Sequence, residues 1–482
     1  MHPAIANSFE PPFDVYARAW EWVFRSEAFI SWLEEGRTWQ LRCVGPPGSG
    51  KTTLSALVVE QLRKEFRDAN IAVASIFIID DLGGREEAFL EEFLESVLKQ
   101  LSESAADSDF SCCICSSYAE ACKRNEKFAL RIEMLRKAIY TRLTTLNRAF
   151  LIVDDFDRCS AEAAAFLEDE LARLQRHSVK IMVTSRVPYH RVANQFLCEV
   201  ELDENEIDLE HGGNLSVYWQ CERCSGLWMS EEDEYNICNQ CKLRGYTCRT
   251  CGPDARLFEP YTHVELPVLL SNRDMECFLK WNLEGEHGDL GLQSANQHKP
   301  PPSALGRALR EERVAENIVQ AVVFESEGNI AIARTRLDEI HVAQTIQETE
   351  PIPDRLSRNR IAMFQAGISR INEQADGRRE LGLTAISAAG SESGGTSFRE
   401  LKEQLRTIVR KRKSDGASDL TLYEALHAAA GYLVVDNTIE QRVTPYHTSF
   451  FLFVNENYDE RLFLKGMDLG YARPSRSKTL QF

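Results

Sequence analysis

Residues 45–52 read GPPGSGKT, which fits the phosphate-loop pattern G-x-x-x-x-G-K-[ST] at every fixed position. The pattern constrains the fold as much as the chemistry, because it works only between a buried strand and the first turn of a helix. Both flanks are present. Leu41, Cys43 and Val44 form an apolar run ahead of the loop, and Leu54, Leu57, Val58, Leu62 and Phe66 follow it at helical spacing. The glycines let the backbone curl so that successive N–H groups converge on phosphate oxygens, and the helix N-terminus adds partial positive charge. Gly45, Pro46, Pro47, Gly48, Ser49, Gly50, Lys51, Thr52 and Thr53 are therefore the predicted cradle for a nucleotide, ATP or GTP. In such a loop Lys51 reaches the β- and γ-phosphates and Thr52 offers its hydroxyl to Mg²⁺.

The chain around the loop alternates between strand and helix patterns. Strand candidates are Ile71–Ile79, AFLIV at 149–153 and VKIMVT at 179–184. Helical faces lie between them: Phe89 to Leu101, Phe128 to Leu143, and a helix capped by Ser160. Residues 102–125 read as an inserted loop, in which CCIC at 112–115 is the notable cluster. Alternation of this kind predicts an α/β fold, a parallel sheet with helices on both faces. Ahead of it, Tyr16, Trp20, Val23, Phe24, Phe29, Trp32 and Leu33 describe helices that pack beside the nucleotide domain, closed by Gly36.

A phosphate loop needs an acidic strand end to hold magnesium. SIFIIDD at 75–81 and FLIVDDFD at 150–157 both qualify. The second is the better candidate, because a further apolar strand ending in Thr184-Ser185-Arg186 follows it. That order puts a polar sensor on the strand between the loop and the acid. Asp154 is then the magnesium-orienting carboxylate, and Asp155 or Asp157 the group that polarises the attacking water. Arg186 is positioned to sense or stabilise γ-phosphate charge, and Asp80 and Asp81 read as turn residues.

Residues 217–252 carry three Cys-x-x-Cys pairs, Cys221/Cys224, Cys238/Cys241 and Cys248/Cys251. Each pair forms a knuckle that turns two sulfurs toward one cation, and two knuckles complete a tetrahedron, so Zn²⁺ is expected. Cys221, Cys224, Cys238 and Cys241 are the favoured set. Cys248 and Cys251 either replace one pair or join His263 around a second ion.

Composition excludes some alternatives. Acids outnumber bases 74 to 56 across 482 residues, and a net charge of −18 argues against a broad nucleic-acid surface. The N-terminus lacks the pattern of a secretory signal, and no run approaches the length of a membrane span, so a soluble cytoplasmic protein is the expectation. There, 14 cysteines serve as thiols or metal ligands rather than disulfides. The basic run at 409–415 reads as a solvated helix end.

The stretch FISWLEEGRTWQLRCVGPPGSGKTTLSALVVEQL, together with FLIVDDFDRC and KIMVTSR, resembles the nephrocystin-3-like N-terminal domain, a NACHT-type branch of the STAND NTPases. Many fungal members place a short ZZ-type zinc finger after the core, and EYNICNQCKLRGYTC resembles its second half, although the paired histidines of a full ZZ module are missing. FESEGNIAIARTRLDEI at 324–340 and TPYHTSFFLFV at 444–454 resemble the family's helical and winged-helix regions. In relatives a winged-helix histidine, here matched by His447, contacts nucleotide phosphate. Members usually continue into repeats, and residues 456–482 contain none.

The resemblance implies this organisation: an N-terminal helical segment 1–36, an NTPase domain 37–200, a zinc finger 214–255, a helical domain 256–385, a winged-helix-like domain 398–455 and a tail 456–482. It implies a signalling switch that hydrolyses nucleotide slowly, self-associates when open and engages a protein partner, in the manner of intracellular immune-like receptors. Two rivals stand beside it, a zinc-finger adaptor that uses the NTPase fold as scaffold and an AAA-type ATPase acting on nucleic acid.

Overall fold

Side chains of alternate residues on the central strands point to opposite faces, and both faces are covered. In the computed structural model Phe150 and Ile152 enter one core while Leu151 and Val153 enter the other, and Met182 parts from Ile181 and Val183 in the same way. The structure describes residues 4–187 and 262–455, apart from 10–15, 35–37, 67–69, 80–85, 104–116, 125, 160, 176, 297–298, 351–355, 375, 391–394, 407, 409–419, 421 and 436–441. It also describes the backbone of strands within 218–258.

The first unit runs β1 (Ile5–Ala6), α1 (Glu21–Arg25), α2 (Glu27–Leu33), β2 (Thr38–Val44), α3 (Lys51–Glu65), β3 (Ile71–Ile78), α4 (Glu86–Glu103), α5 (117–123), α6 (Phe128–Leu143), β4 (Arg148–Asp154), α7 (Ala161–Gln175) and β5 (Val179–Ser185). Helix α5 falls within the stretch read from sequence as an inserted loop. Asp80, Asp81 and Ser160 lie outside the described residues.

Five short strands follow, β6 (Tyr218–Cys221), β7 (Leu227–Met229), β8 (Asn236–Ile237), β9 (Arg244–Cys248) and β10 (Gly252–Phe258), in the order β7-β6-β10-β9-β8. Of the zinc candidates, the backbones of Cys221 and Cys248 end strands β6 and β9. Cys224, Cys238, Cys241 and Cys251 lie outside the described residues, as do the side chains of the other two and of His263.

Strand β11 (Thr262–Pro267) then pairs in parallel with β2, with Leu266 opposite Cys43. The main sheet therefore has six strands in the order β1-β3-β4-β5-β2-β11, parallel except for β1. Its sixth strand comes from the segment assigned from sequence to the helical domain 256–385. Helices α8 (Asn272–His287), α9 (Ala304–Glu311), α10 (Ala315–Ser326) and α11 (Ile330–Val342) share one core with α1–α3, through Trp20, Trp32, Leu54, Phe278 and Leu337. Truncating a side chain as enclosed as Trp32 or Phe150 costs roughly 3–5 kcal/mol.

The last part has its own core. It runs α12 (Arg358–Asn372), α13 (Asp376–Ala389), β12 (Thr396–Ser397), α14 (Phe398–Gln404), α15 (Leu422–Ala428), β13 (Leu433–Val435), β14 (Arg442–Pro445) and α16 (Thr448–Asn455). The three strands form an antiparallel sheet in the order β12-β14-β13, and Ser397 starts α14 with a reciprocal bond to Glu400. Val187, just past β5, is buried in this third core, so the C-terminal region is seated on the carboxyl end of the main sheet.

Candidate nucleotide site

In open α/β sheets ligands bind beyond the carboxyl ends of the strands. Here β5 lies between β2 and β4, so the loop after β2, the Thr184-Ser185-Arg186 end and Asp154 converge at one edge. The amide of Gly45 donates to Ser185 O at 3.1 Å and anchors the loop to its neighbour.

Gly48 and Gly50 take left-handed φ angles of 79° and 88°. A Cβ on Gly50 would lie 2.5 Å from the Trp20 ring, and one on Gly48 would lie 2.7 Å from the Ala331 methyl. Conformation and close packing thus both require glycine. Lys51 opens α3 and is buried, and its Nζ donates to Gly45 O at 2.7 Å and Pro46 O at 2.9 Å. Burial, helped by the Arg186 charge, lowers its pKa to about 8.

Asp154 is buried under three hydroxyls. Ser55 Oγ and Thr184 Oγ1 each donate to its Oδ1 at 2.7 Å, and Thr52 bonds to the same carboxylate. Burial and then the neighbouring Asp155 raise its pKa, and the hydroxyls act in opposition. Thr52 and Asp154 therefore stand together as a hydroxyl–carboxylate pair. That all-oxygen donor set fits Mg²⁺, which keeps waters and phosphate oxygens in its remaining positions. Thr184 Oγ1 also accepts the Asp155 amide at 2.9 Å, so one buried threonine fixes both aspartates.

The structure separates Asp155 from Asp157. Asp155 adopts a left-handed φ of 59°, which turns its side chain to the wall of a cavity of about 410 Å³. Lys51, Thr52, Thr53, Gly48, Gly50, Arg158 and Arg186 line the same cavity. Its Oδ2 accepts from Arg158 Nε at 2.8 Å. Asp157 is instead buried behind Arg186, whose backbone amide donates to it at 3.0 Å, and it lines a smaller cleft with His427. Burial pushes the Asp157 carboxyl up, but Arg186, then Lys51 and His427, hold it below its ordinary value.

The opposite wall comes from distant sequence: Tyr16 and Trp20 before the domain, Phe278 on α8, and Ile330, Ala331 and Arg334 on α11. None of these was singled out as a ligand contact from sequence, and neither was Ser55. Ser55 was recoverable, since it lies one helical turn past Lys51. Helix α11 also grips the loop directly. Asn329 caps it, accepting from Ala331 N and Ile332 N, while its Nδ2 donates to Pro47 O at 2.8 Å. Ala331 N donates to Gly48 O at 3.0 Å.

Just before this cap, Glu327 and Gly328 are both left-handed, and Glu327 accepts from Thr448 Oγ1 of α16. His447 lies at this junction rather than on the nucleotide cavity. Its Nδ1 accepts from Ser449 N at 3.0 Å, and burial lowers its pKa. The C-terminal region meets the site through Arg370, His427 and Gly431, which pack at Asp155, Asp157 and Arg186.

The sheet order, the glycine loop and the buried acid define the P-loop NTPase fold. The family model described as nephrocystin 3, N-terminal, matches residues 18–186. Among solved structures the chain is similar to a Walker-type ATPase of Pyrococcus abyssi, at 11% identity and a TM-score of 0.40, over 93% of this chain and 97% of that one. It is also similar to the ORC1 protein of Aeropyrum pernix, solved in complex with DNA, at 12% identity and a TM-score of 0.34, over 93% and 91%. PCH-2 of C. elegans aligns at 14% identity and a TM-score of 0.28, over 71% and 68%. No curated protein sequence matches significantly. Among the described residues no helix is long and apolar enough to cross a membrane.

Proposed function

We propose that this chain is a nucleotide-operated switch of the NACHT/STAND kind, which binds ATP or GTP with Mg²⁺ and hydrolyses it slowly. One observation carries this reading: the phosphate loop, the acidic turn at Asp155 and helix α11 line one cavity, and the C-terminal region reaches its wall through the Arg370–Asp155 ion pair. A change in the terminal phosphate is then felt by several parts of the chain. Such a ligand moves an equilibrium only by its difference in affinity for the two states.

In this reading Lys51 and the loop amides hold the β- and γ-phosphates, and Thr52 with Asp154 holds the metal, which neutralises developing charge when bound. Asp155 orients the attacking water, and Arg186 stabilises charge on the transferred group. The β12–β14 sheet with α13–α15 has the element order of a winged helix, which supports a winged-helix-like domain that includes α13 and β12 ahead of the 398–455 expected from sequence. The domain division given above and a zinc-binding module around Cys221–Cys251 belong to the same proposal, as do self-association on opening, a protein signalling partner and a cytoplasmic location.

Calorimetry of the full chain with MgATP and MgGTP tests the reading. Lys51→Ala should weaken binding by about 100-fold or more, because it removes a buried, charge-assisted partner of the phosphates. Unchanged affinity would remove the loop as the site.

A further inference from the structure

The Asp155 carboxylate is shared by arginines from three elements. Arg158 Nε approaches its Oδ2 at 2.8 Å from the same turn, Arg186 Nη2 at 3.8 Å from the end of β5, and Arg370 Nη2 at 3.7 Å from α12. The first two belong to the sheet unit and travel with Asp155. Arg370 does not, because α12 buries Phe364, Ile368 and Ile371 in the C-terminal core. The contact sits in a tight seam. A Cβ on Gly431 would lie 2.5 Å from the Arg186 Cβ, and Val187 is enclosed by the C-terminal core. Arg370 is thus a charged link between the C-terminal region and the aspartate on the cavity wall.

A base must present a lone pair to the proton it removes. With three guanidiniums within 4 Å of Oδ2, that oxygen is committed to the arginines. In the step itself a water oxygen bonds to the γ-phosphorus, the bond to the β–γ bridging oxygen breaks, and the water proton passes to Asp155. The products are nucleoside diphosphate and inorganic phosphate.

We propose that Arg370 is a positioning residue that draws Asp155 away from the attacking water while the C-terminal region is seated, so that seating and hydrolysis oppose each other. The inference rests on the nucleotide-site reading of residues 45–53 and 154–155. Its test uses the full chain, MgATP, steady-state turnover, calorimetry and hydrogen exchange.

Arg370→Ala should raise kcat roughly tenfold, a fraction of the 10²–10⁴-fold that a positioned base contributes. KM and Kd should stay within about twofold, since the residue holds the carboxylate rather than the nucleotide. Exchange at residues 427–432 should quicken, and Arg370→Lys should restore most of the wild-type behaviour. Turnover that appears only in Arg370→Ala supports the proposal equally. Unchanged turnover, or none in either protein, overturns it. A fall in turnover also overturns it and would place Arg370 on transition-state charge instead. Lys51→Ala separates the two failures: if it leaves binding intact, the nucleotide reading fails, whereas if it abolishes binding, an inert Arg370→Ala defeats only the latch.

Discussion

The nucleotide cavity has two walls built on different principles. The phosphate-loop wall is local: within nine residues it supplies the glycines, the lysine and the hydroxyls, and its acid is held by Ser55, Thr52 and Thr184 inside the same sheet unit. The acidic-turn wall is engaged from far apart: Asp155 on the cavity by Arg370, and Asp157 in the smaller cleft behind Arg186 by His427, both from the C-terminal region. The first wall draws its side chains from the sheet unit alone, and the second takes some of its charged partners from the C-terminal region. Affinity should therefore reside on one side and control on the other.

Matched glycine substitutions are the strongest way to break that division. Gly50 and Gly431 are both left-handed, and at each an added Cβ meets a neighbour at 2.5 Å. Gly50→Ala should abolish measurable nucleotide binding by calorimetry, because the strain of ~1–3 kcal/mol falls on the loop that must wrap phosphate. Gly431→Ala carries similar strain but should leave affinity within about threefold, and faster exchange around Arg186 and Asp157 should report a loosened seam. If Gly431→Ala also eliminated binding, the walls would not be separable.

A smaller effect should come from pH. Burial and then the Arg378 charge lower the His427 pKa to about 4, against the pull of Asp157. His427 lines a cleft whose other walls come from the sheet unit and its Val187 end, so part of the burial that lowers its pKa comes from seating, whereas Arg378 is a neighbour within the C-terminal region. That burial favours the seated form fully above the ordinary value of ~6.5, and the contribution is lost as pH falls toward 4. Small-angle scattering should therefore show expansion between pH 6.5 and 5, and His427→Asn should reduce that dependence. A compact profile identical at pH 7 and pH 5 would count against His427 as a contributor.

The same two walls differ in how much the sequence reveals. The glycine loop, the acidic strand and the strand placed between them are legible because strand–loop–helix geometry needs particular residues at fixed spacing. Asp155 and Asp157 could not be told apart, since a left-handed φ at Asp155 turns the two carboxylates to different surroundings. Tyr16, Phe278 and Arg334 carry no local pattern that marks a ligand contact; each reaches the cavity by tertiary packing. Strand β11 was missed for a related reason. Its pairing with β2 spans more than two hundred residues, and a six-residue strand gives little periodicity to read.

The left-handed pair Glu327–Gly328 joins two attachments only a few residues apart. On one side Thr448 bonds to Glu327, and on the other Asn329 and Ala331 bond to the carbonyls of Pro47 and Gly48. So short a segment works as a connecting rod with almost no slack. A shift of the loop crest arrives at α16 with little loss, and a pull on α16 returns to the crest by the same route. Whatever shape the chain adopts on opening, the crest and α16 must either move together or break one of these bonds.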